Sequence, residues 1–145
     1  MPPRRPEIQL LSRVPLFEDL SRTQLGRVAS LAEQFTYNPG RVIVKKDDAG
    51  RAFYVIVEGQ AKVVKGKIVT ARGEAELGPG DFFGELALLD GGPRAATVVA
   101  TSPLTTIRIE RAAFRGLLRA EPDLALKVLE GMARRTRKIL GTPAL

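Results

Sequence analysis

Residues 80–98 read GDFFGELALLDGGPRAATV and interrupt the strand-like alternation of the sequence on either side. Within them, residues 85–89 favour a single helical turn between two strands. The N-terminus of a helical turn presents unpaired backbone N–H groups and a positive partial charge, which together can hold a phosphate. Gly84 stands just before this turn, where the lack of a side chain lets a ligand approach the backbone. The stretch therefore predicts an anion-binding segment inside a β fold.

Two charged side chains in this stretch complete a predicted nucleotide site. Arg94 can hold a phosphate through two parallel hydrogen bonds, a geometry that lysine cannot reproduce. Glu85 can accept hydrogen bonds from a ribose hydroxyl, and the backbone N–H groups of Leu86, Ala87 and Ala95 would add to the anion cradle. The alternative is that Glu85 and Arg94 form an ordinary ion pair on a surface loop.

The sequence around this stretch alternates between short β-rich runs and turn signals. The turn signals lie at Asn38-Pro39-Gly40, Glu58-Gly59, Lys65-Gly66, Arg72-Gly73 and Gly78-Pro79-Gly80-Asp81. Further strands are predicted over residues 95–101 and 104–109. Such spacing is typical of a small antiparallel barrel or jelly roll.

Helical periodicity replaces this alternation at both ends of the chain. Apolar positions over residues 15–32 fit a helical period, with Ser21 as the N-cap. A short helix is predicted over residues 111–119. A second helix begins at Glu121-Pro122-Asp123, because proline and acidic residues suit a first turn, and Gly141 closes it.

The predicted fold class is therefore mainly β with flanking helices. It is an antiparallel β-roll, or jelly-roll-like barrel, with an N-terminal helical segment and two C-terminal helices. We expect a single domain over residues 1–145, in which the helical segment covers residues 1–38, the β-roll 39–110 and the closing helices 111–145.

The composition excludes several classes of site. The 145 residues contain no cysteine and no histidine, so a disulfide framework, a zinc-thiolate centre and a Ser-His-Asp triad are impossible. A cupin-type enzyme on a similar barrel would need histidine ligands for its metal. An all-carboxylate active site stays open, but we expect a protein that is not an enzyme, with no catalytic residue, no metal and no cofactor.

The net charge of +7 favours anionic partners such as nucleotides, nucleic acid or acidic membranes. An ordinary solvated basic surface accounts for this charge equally well. The sequence contains no apolar run near the ~20 residues of a membrane helix, and residues 1–11 lack the apolar core of a signal peptide. We therefore expect a cytoplasmic protein that does not insert into a membrane.

A resemblance to a known family rests on two runs, FGELALL at residues 83–89 and PRAATV at residues 93–98. Together they resemble the phosphate-binding cassette of cyclic-nucleotide-binding domains. That family includes protein kinase A regulatory subunits, gated channels and bacterial catabolite-activator-type regulators. The resemblance extends over residues 8–140, with residues 10–20 similar to the family's N-terminal helical segment and residues 53–64 similar to its early strands. The two closing helices would then be its hinge and lid.

The resemblance implies roles for the cassette residues. Glu85 would bind the ribose 2′-hydroxyl, Arg94 would neutralise the cyclic phosphate, and Ala95 stands where cGMP-preferring relatives often place threonine. The ligand is therefore expected to be cAMP, with cGMP as the second choice. Phe83 and Leu86 also fit core positions. The ligand-binding residues implied are Phe83, Gly84, Glu85, Leu86, Ala87, Arg94, Ala95, Ala96 and Thr97.

The resemblance also implies that the last helix closes over the base as a lid, with Val128, Met132 and Arg135 as candidates to reach the purine. We therefore expect a regulatory sensor whose C-terminal helix moves on binding and signals to an unidentified effector protein or within a longer parent chain. An apolar stripe on this helix is either core or a homodimer seam. It comprises Leu124, Val128, Leu129, Met132 and Leu140.

The alternative function is a basic nucleic-acid-binding protein in which the cassette has degenerated. Residues 111–138 hold eight arginines and lysines against three acidic residues. Most such runs are solvated faces, and several of these cations lie near a helix C-terminus, where the helix dipole favours them. Nucleic acid is therefore the less favoured partner, and strongly salt-dependent DNA binding would identify it.

Overall fold

A computed structural model of the chain describes residues 5–66 and 76–141. Within these ranges the helices are α1 (Arg5–Ser12), α2 (Arg22–Ala29), α3 (Ala87–Asp90), α4 (Arg111–Ala120) and α5 (Pro122–Leu140). A short 3-10 turn covers Pro15–Phe17. The strands are β1 (Glu33–Tyr37), β2 (Val42–Val44), β3 (Ala52–Glu58), β4 (Ala61–Gly66), β5 (Glu76–Leu77), β6 (Phe82–Phe83), β7 (Ala96–Ala100) and β8 (Leu104–Glu110).

The strands form two antiparallel four-stranded sheets, with the orders β1-β8-β3-β6 and β2-β7-β4-β5. This confirms the predicted antiparallel β-roll with helices before and after it. The turn predicted at Asn38-Pro39-Gly40 joins β1 to β2, and the strands predicted over residues 95–101 and 104–109 are β7 and β8. The turn predicted at Arg72-Gly73 lies outside the described residues.

The chain clusters into two compact units, each with its own internal contacts. One holds residues 31–115, which include both sheets and α3. The other holds the described residues up to Ser30 together with those from Gly116 onward. The boundary falls inside α4, so this helix contributes to both units.

The interior of the β-rich unit is an apolar cluster to which both sheets contribute. Tyr54 and Ile56 on β3 belong to it, together with Phe83 on β6 and Val98 on β7. Residues two apart along a strand share one face, which places Tyr54 and Ile56 on the same side of β3. Five consecutive residues of this strand, 52–56, are buried. This buried strand therefore forms the part of the core next to residues 80–98, with which it pairs through β6.

The N-terminal helical pattern is confirmed in part. Ser21 caps α2 with a capping box, in which its hydroxyl accepts from the Gln24 backbone N–H (3.1 Å) and the Gln24 side chain accepts from the Ser21 N–H (2.9 Å). The helix ends at Ala29, however, and β1 occupies Glu33–Tyr37. The end of the segment 1–38, predicted as the N-terminal helical segment, is therefore a strand, in which Phe35 and Tyr37 alternate with exposed residues and pair with β8.

The helical unit is held together by burial and by polar contacts that join the N-terminal elements to α5 and to Glu121, the residue before it. Arg134 pairs with Asp19, and Arg27 with Glu121, while the Lys127 ammonium donates to the Gln24 amide oxygen at 3.2 Å. Gly141 ends α5 in a left-handed conformation, as predicted. In the described part of the chain, no helix is long and apolar enough to cross a bilayer.

The apolar stripe predicted for α5 divides into two faces. Leu124 and Val128 are buried, whereas Leu129 and Leu140 are exposed by 62% and 70%. Leu126 is also exposed, and it was not part of the predicted stripe. The helix therefore has an apolar face that is buried in the unit and a second one that is open to solvent.

Candidate functional site

Residues 80–98 line a cavity of about 450 Å³ on the β-rich unit. Eight of the nine predicted ligand-binding residues lie on its wall, so the structure brings the cassette together as a single site. The lining residues are Val44, Phe82, Phe83, Gly84, Glu85, Leu86, Ala87, Asp90, Gly92, Pro93, Arg94, Ala95 and Ala96.

Arg94 is the buried cation of this cavity, with 8% of its surface exposed. Its Nη2 donates to the carbonyl of Ala52 at 2.7 Å, and the guanidinium lies 5.7 Å from the centre of the Tyr54 ring. Its Nη1 is buried and has no hydrogen-bond partner among the described residues. Burial lowers the pKa of Arg94, an effect that Tyr54 opposes. The side chain therefore carries a desolvated charge with an unused donor beside the cavity.

The backbone around Arg94 is held by the loop that precedes β3. Its N–H donates to the carbonyl of Asp48 at 2.8 Å, and its carbonyl accepts from the Asp47 N–H at 2.9 Å. The neighbouring N–H of Gly50 donates to the carbonyl of Gly92, also at 2.9 Å. The backbone of Arg94 is thus held by hydrogen bonds on both sides of its Cα.

Gly84 makes room for the Arg94 side chain. It has φ of +85°, a conformation that residues with a side chain rarely adopt. A Cβ at this position would lie 2.3 Å from Arg94 Nη1 and 3.0 Å from the Ala52 carbonyl oxygen. Glycine was predicted here to let a ligand approach, and the structure adds that it also admits the guanidinium.

The helical turn predicted over residues 85–89 is α3, which begins two residues later and ends one residue later. Its first N–H, from Ala87, donates to the carbonyl of Gly84 at 3.1 Å. At the other end, the Leu89 carbonyl accepts from Arg115 at 3.4 Å, with Arg111 at 3.5 Å. Cations at the C-terminus of a helix suit its dipole. These two contacts connect α3 to the start of α4.

The side chains of the cassette divide between the interior and the cavity. Phe83 is buried and stacks on Tyr54, with ring centroids 5.1 Å apart at an angle of 15°. Leu86 is 52% exposed and lines the cavity, although it is a large apolar residue. Glu85 is half-buried on the same wall. Phe83 thus packs in the core as well as lining the cavity, whereas the side chain of Leu86 is exposed at the cavity wall.

Four of the predicted residues are not among the described residues that line this cavity. The Thr97 hydroxyl accepts from the Lys46 N–H at 2.9 Å, and the residue is not among those that line the cavity in the described chain. Val128, Met132 and Arg135 lie on α5 in the helical unit. There Val128 is buried, and Arg135 Nη1 lies 3.9 Å from the Met132 sulfur. Their role over a base stays a prediction.

Sequence reasoning missed the groups behind and beside Arg94. Ala52 and Tyr54 contact its guanidinium, but they are about forty residues away in the chain. Their alternation along a β-rich run was visible, whereas the pairing of Tyr54 with Phe83 was not. Asp90 is a second carboxylate on the cavity wall. Also missed were the lining residues Val44, Phe82, Gly92 and Pro93.

The residues of this cavity suit an anion better than a metal ion. Among the described residues, no group of three or more acidic side chains is arranged to hold a metal ion. The cavity joins one desolvated guanidinium, half-buried Glu85 and a wall of small residues, Ala87, Ala95 and Ala96. Such a wall can accept a flat or ring-shaped anion of nucleotide size.

Comparison with known proteins agrees with this geometry. The family model described as the cyclic nucleotide-binding domain matches residues 34–121. A cAMP-dependent protein kinase regulatory subunit of Colletotrichum orbiculare is 35% identical over 134 residues, which are 92% of this chain and 32% of that protein. The corresponding subunit of Mycosarcoma maydis is 39% identical over 101 residues, 70% of this chain and 19% of that protein. The chain thus spans about a third or less of the length of these relatives.

Solved structures also resemble the chain. The N-terminal domain of a transcriptional regulator from Streptomyces coelicolor A3(2) has a TM-score of 0.79 at 28% identity, covering 94% of this chain and 98% of that one. A cyclic nucleotide-binding-like protein from Brucella abortus has a TM-score of 0.67 at 30% identity, covering 78% and 97%. The catabolite activator protein of Thermus thermophilus has a TM-score of 0.64 at 30% identity, covering 86% and 59%.

Proposed function

This chain belongs to the cyclic-nucleotide-binding domain family, and we propose that it binds cAMP in preference to cGMP as a regulatory sensor. The observation that carries the proposal is the buried guanidinium of Arg94, whose Nη1 lacks a hydrogen-bond partner among the described residues. A buried charge without a partner is costly. A cyclic phosphate carries one negative charge and several oxygen acceptors. It would therefore supply both a counter-charge for this guanidinium and an acceptor for its Nη1.

The remaining cavity residues fit the sugar and the base. Glu85 can accept hydrogen bonds from the ribose 2′-hydroxyl, and Leu86 offers an exposed apolar surface at the cavity wall. Ala95 is exposed on this wall and has no hydroxyl with which to contact a guanine. This supports cAMP as the preferred ligand. No cofactor is needed for such binding, and we propose no catalytic step.

The regulatory output would run through α5. We place Val128, Met132 and Arg135 near the purine in the ligand-bound state, by apolar contact or by stacking of the guanidinium. Ligand can shift α5 only if it binds one position of the helix better than the other. The relatives that are named as regulatory subunits of a kinase support an effector protein as the recipient of this signal, and we place the protein in the cytoplasm.

A homodimer through α5 is the second part of this proposal. The exposed apolar face of the helix holds Leu126, Leu129 and Leu140. Leu129 follows Leu126 by three residues, and Leu140 follows Leu129 by eleven, which is one heptad plus four. Both spacings fit the a and d positions of a coiled coil. The nearby cations would repel across a parallel pair, so the measurement must be made at physiological salt. Light scattering with and without cAMP would show a mass of two chains, and Leu129→Lys would return it to one.

Calorimetric titration tests the ligand. We expect cAMP to bind with micromolar affinity or better, about −8 kcal/mol, and cGMP to bind more weakly. Arg94→Ala should lower the affinity for cAMP by at least roughly 100-fold, because the partner of the phosphate is lost. Arg119→Ala is the matched control, since Arg119 is an exposed arginine on α4. No heat from either nucleotide with the wild type would overturn the proposal. Salt-dependent DNA binding would then favour the nucleic-acid alternative.

A further inference from the structure

We infer that Tyr54 is the positioning residue for Arg94, and that its ring takes the place that a carboxylate would otherwise occupy beside a buried guanidinium. This inference rests on the proposed function, because it concerns the same site. The guanidinium lies 5.7 Å from the ring centre, within the range of a cation–π contact. None of the ion pairs among the described residues involves Arg94.

The architecture of β3 explains how both contacts reach Arg94. Ala52 and Tyr54 are two residues apart on this strand, and the Ala52 carbonyl accepts from Nη2 at 2.7 Å. The ring of Tyr54 also packs against Phe83, the residue directly opposite it in the β3–β6 pairing. The two rings lie almost parallel, with centroids 5.1 Å apart. Tyr54 is only 7% exposed, so it has little freedom to move.

An aromatic partner has a functional consequence that a carboxylate would not have. A carboxylate would cancel the charge of Arg94 and compete with a phosphate for its N–H groups. A ring orients the guanidinium through its quadrupole but carries no net charge. One donor, Nη1, also stays without a partner in the described residues. The full charge of Arg94 is therefore available to the anion, in a fixed direction.

The test compares replacements of Tyr54 that keep or remove the ring. Tyr54→Phe keeps the ring and loses only the hydroxyl, so its affinity for cAMP should stay within about twofold of the wild type. Tyr54→Leu should bind cAMP roughly 5- to 30-fold more weakly, the range expected for loss of a desolvated cation–π contact. Tyr54→Met serves as a second replacement without a ring, in case the leucine variant folds poorly.

A matched control separates positioning from a general loosening of the core. Tyr37 is the only other tyrosine of the chain, and it packs at the edge of the same apolar cluster. Tyr37→Leu should leave the affinity for cAMP within about twofold of the wild type. Tyr54→Leu should also add no further loss in an Arg94→Ala background, because residues that act through one another give non-additive effects.

A readout without ligand separates this inference from the proposed function. The Arg94 side-chain N–H resonances, assigned by their loss in Arg94→Ala, should carry a ring-current shift that Tyr54→Phe keeps and Tyr54→Leu removes. Wild-type protein that shows this shift but binds neither nucleotide would contradict the proposed function and leave the positioning role standing. The inference fails if Tyr54→Leu keeps the shift and full affinity, if Tyr54→Phe loses as much as Tyr54→Leu, or if Tyr37→Leu loses as much.

Discussion

The guanidinium of Arg94 lies against the Cα of Gly84, so close that a Cβ on Gly84 would lie 2.3 Å from Nη1. These two residues are ten positions apart, on either side of α3. The glycine has φ of +85°, and the same Cβ would lie 3.0 Å from the Ala52 carbonyl oxygen, which accepts from the guanidinium. The orientation of the Arg94 guanidinium thus depends both on the absence of a side chain at Gly84 and on the hydrogen bond to the Ala52 carbonyl.

Gly84→Ala should therefore impair stability and binding together. A side chain at positive φ costs about 1–3 kcal/mol, and the new methyl group must also displace the guanidinium. We expect the free energy of unfolding to fall by at least ~2 kcal/mol and the affinity for cAMP by more than tenfold. Urea unfolding and calorimetry measure the two effects.

The control for this substitution is Gly26→Ala. Gly26 lies inside α2, and a Cβ there would meet nothing within 4 Å. Alanine should raise the free energy of unfolding by about 0.5–1 kcal/mol because it favours helix and should leave affinity unchanged. If Gly84→Ala behaved like Gly26→Ala, the close approach of Arg94 to Gly84 would matter neither for stability nor for the affinity for cAMP.

Arg94→Met should separate stability from binding. The guanidinium is buried without an ion-pair partner among the described residues, so in the absence of ligand its charge is a cost. Methionine of similar length removes the charge and keeps apolar contact with Tyr54. We expect the ligand-free variant to be about 1 kcal/mol more stable than the wild type in urea.

The same Arg94→Met variant should show no thermal stabilisation by cAMP, since binding to the folded state is what raises the melting temperature. A loss of more than ~1 kcal/mol in ligand-free stability would show instead that the Ala52 hydrogen bond outweighs the cost of the buried charge.

The local parts of this fold could be predicted from the sequence, because their causes are local. Ser21 and Gln24 are three residues apart and form the capping box. Residues 83–98 were recognised from their own order of residue types, and eight of the nine residues assigned to the site line one cavity.

The parts that escaped prediction depend on sequence-distant pairing. Tyr54 reaches Arg94 only because β3 pairs with β6 in the register that sets Tyr54 against Phe83. The Thr97 hydroxyl accepts from the backbone N–H of Lys46, a contact that the sequence did not indicate, and its role toward a ligand stays a prediction. Spacing along one strand cannot reveal which side chain a distant loop will engage, and this is why the support of Arg94 needed the structure.

The capping box of α2 supplies a test of the helical unit alone. Ser21→Ala removes the acceptor of the Gln24 N–H and should lower the free energy of unfolding by about 1 kcal/mol. Ser21→Gly should lower the free energy of unfolding by only about a few tenths of a kcal/mol, because glycine is itself tolerated at an N-cap. Denaturant midpoints of the two variants give the comparison. A negligible loss in both variants would mean that the hydroxyl contributes nothing.

Stability at alkaline pH should depend on Tyr37. Burial raises the pKa of its hydroxyl above the ordinary value of 10.0, so the folded protein holds this proton more tightly than the unfolded chain does. Its contribution is complete below the unfolded pKa of about 10 and is lost as the pH rises through the folded pKa. The free energy of unfolding should therefore begin to fall as the pH approaches ~10 and go on falling until the pH has passed the folded pKa.

The comparison that isolates this effect is Tyr37→Phe. Both proteins share the lysines that titrate in the same range, so the difference between their slopes belongs to Tyr37. We expect the wild type to lose stability more steeply than Tyr37→Phe above about pH 9, and the difference to be constant at lower pH. Urea unfolding at half-unit steps of pH measures it. Parallel curves would mean that Tyr37 ionises as easily in the folded protein as in the unfolded chain, and that its burial leaves its hydroxyl hydrated.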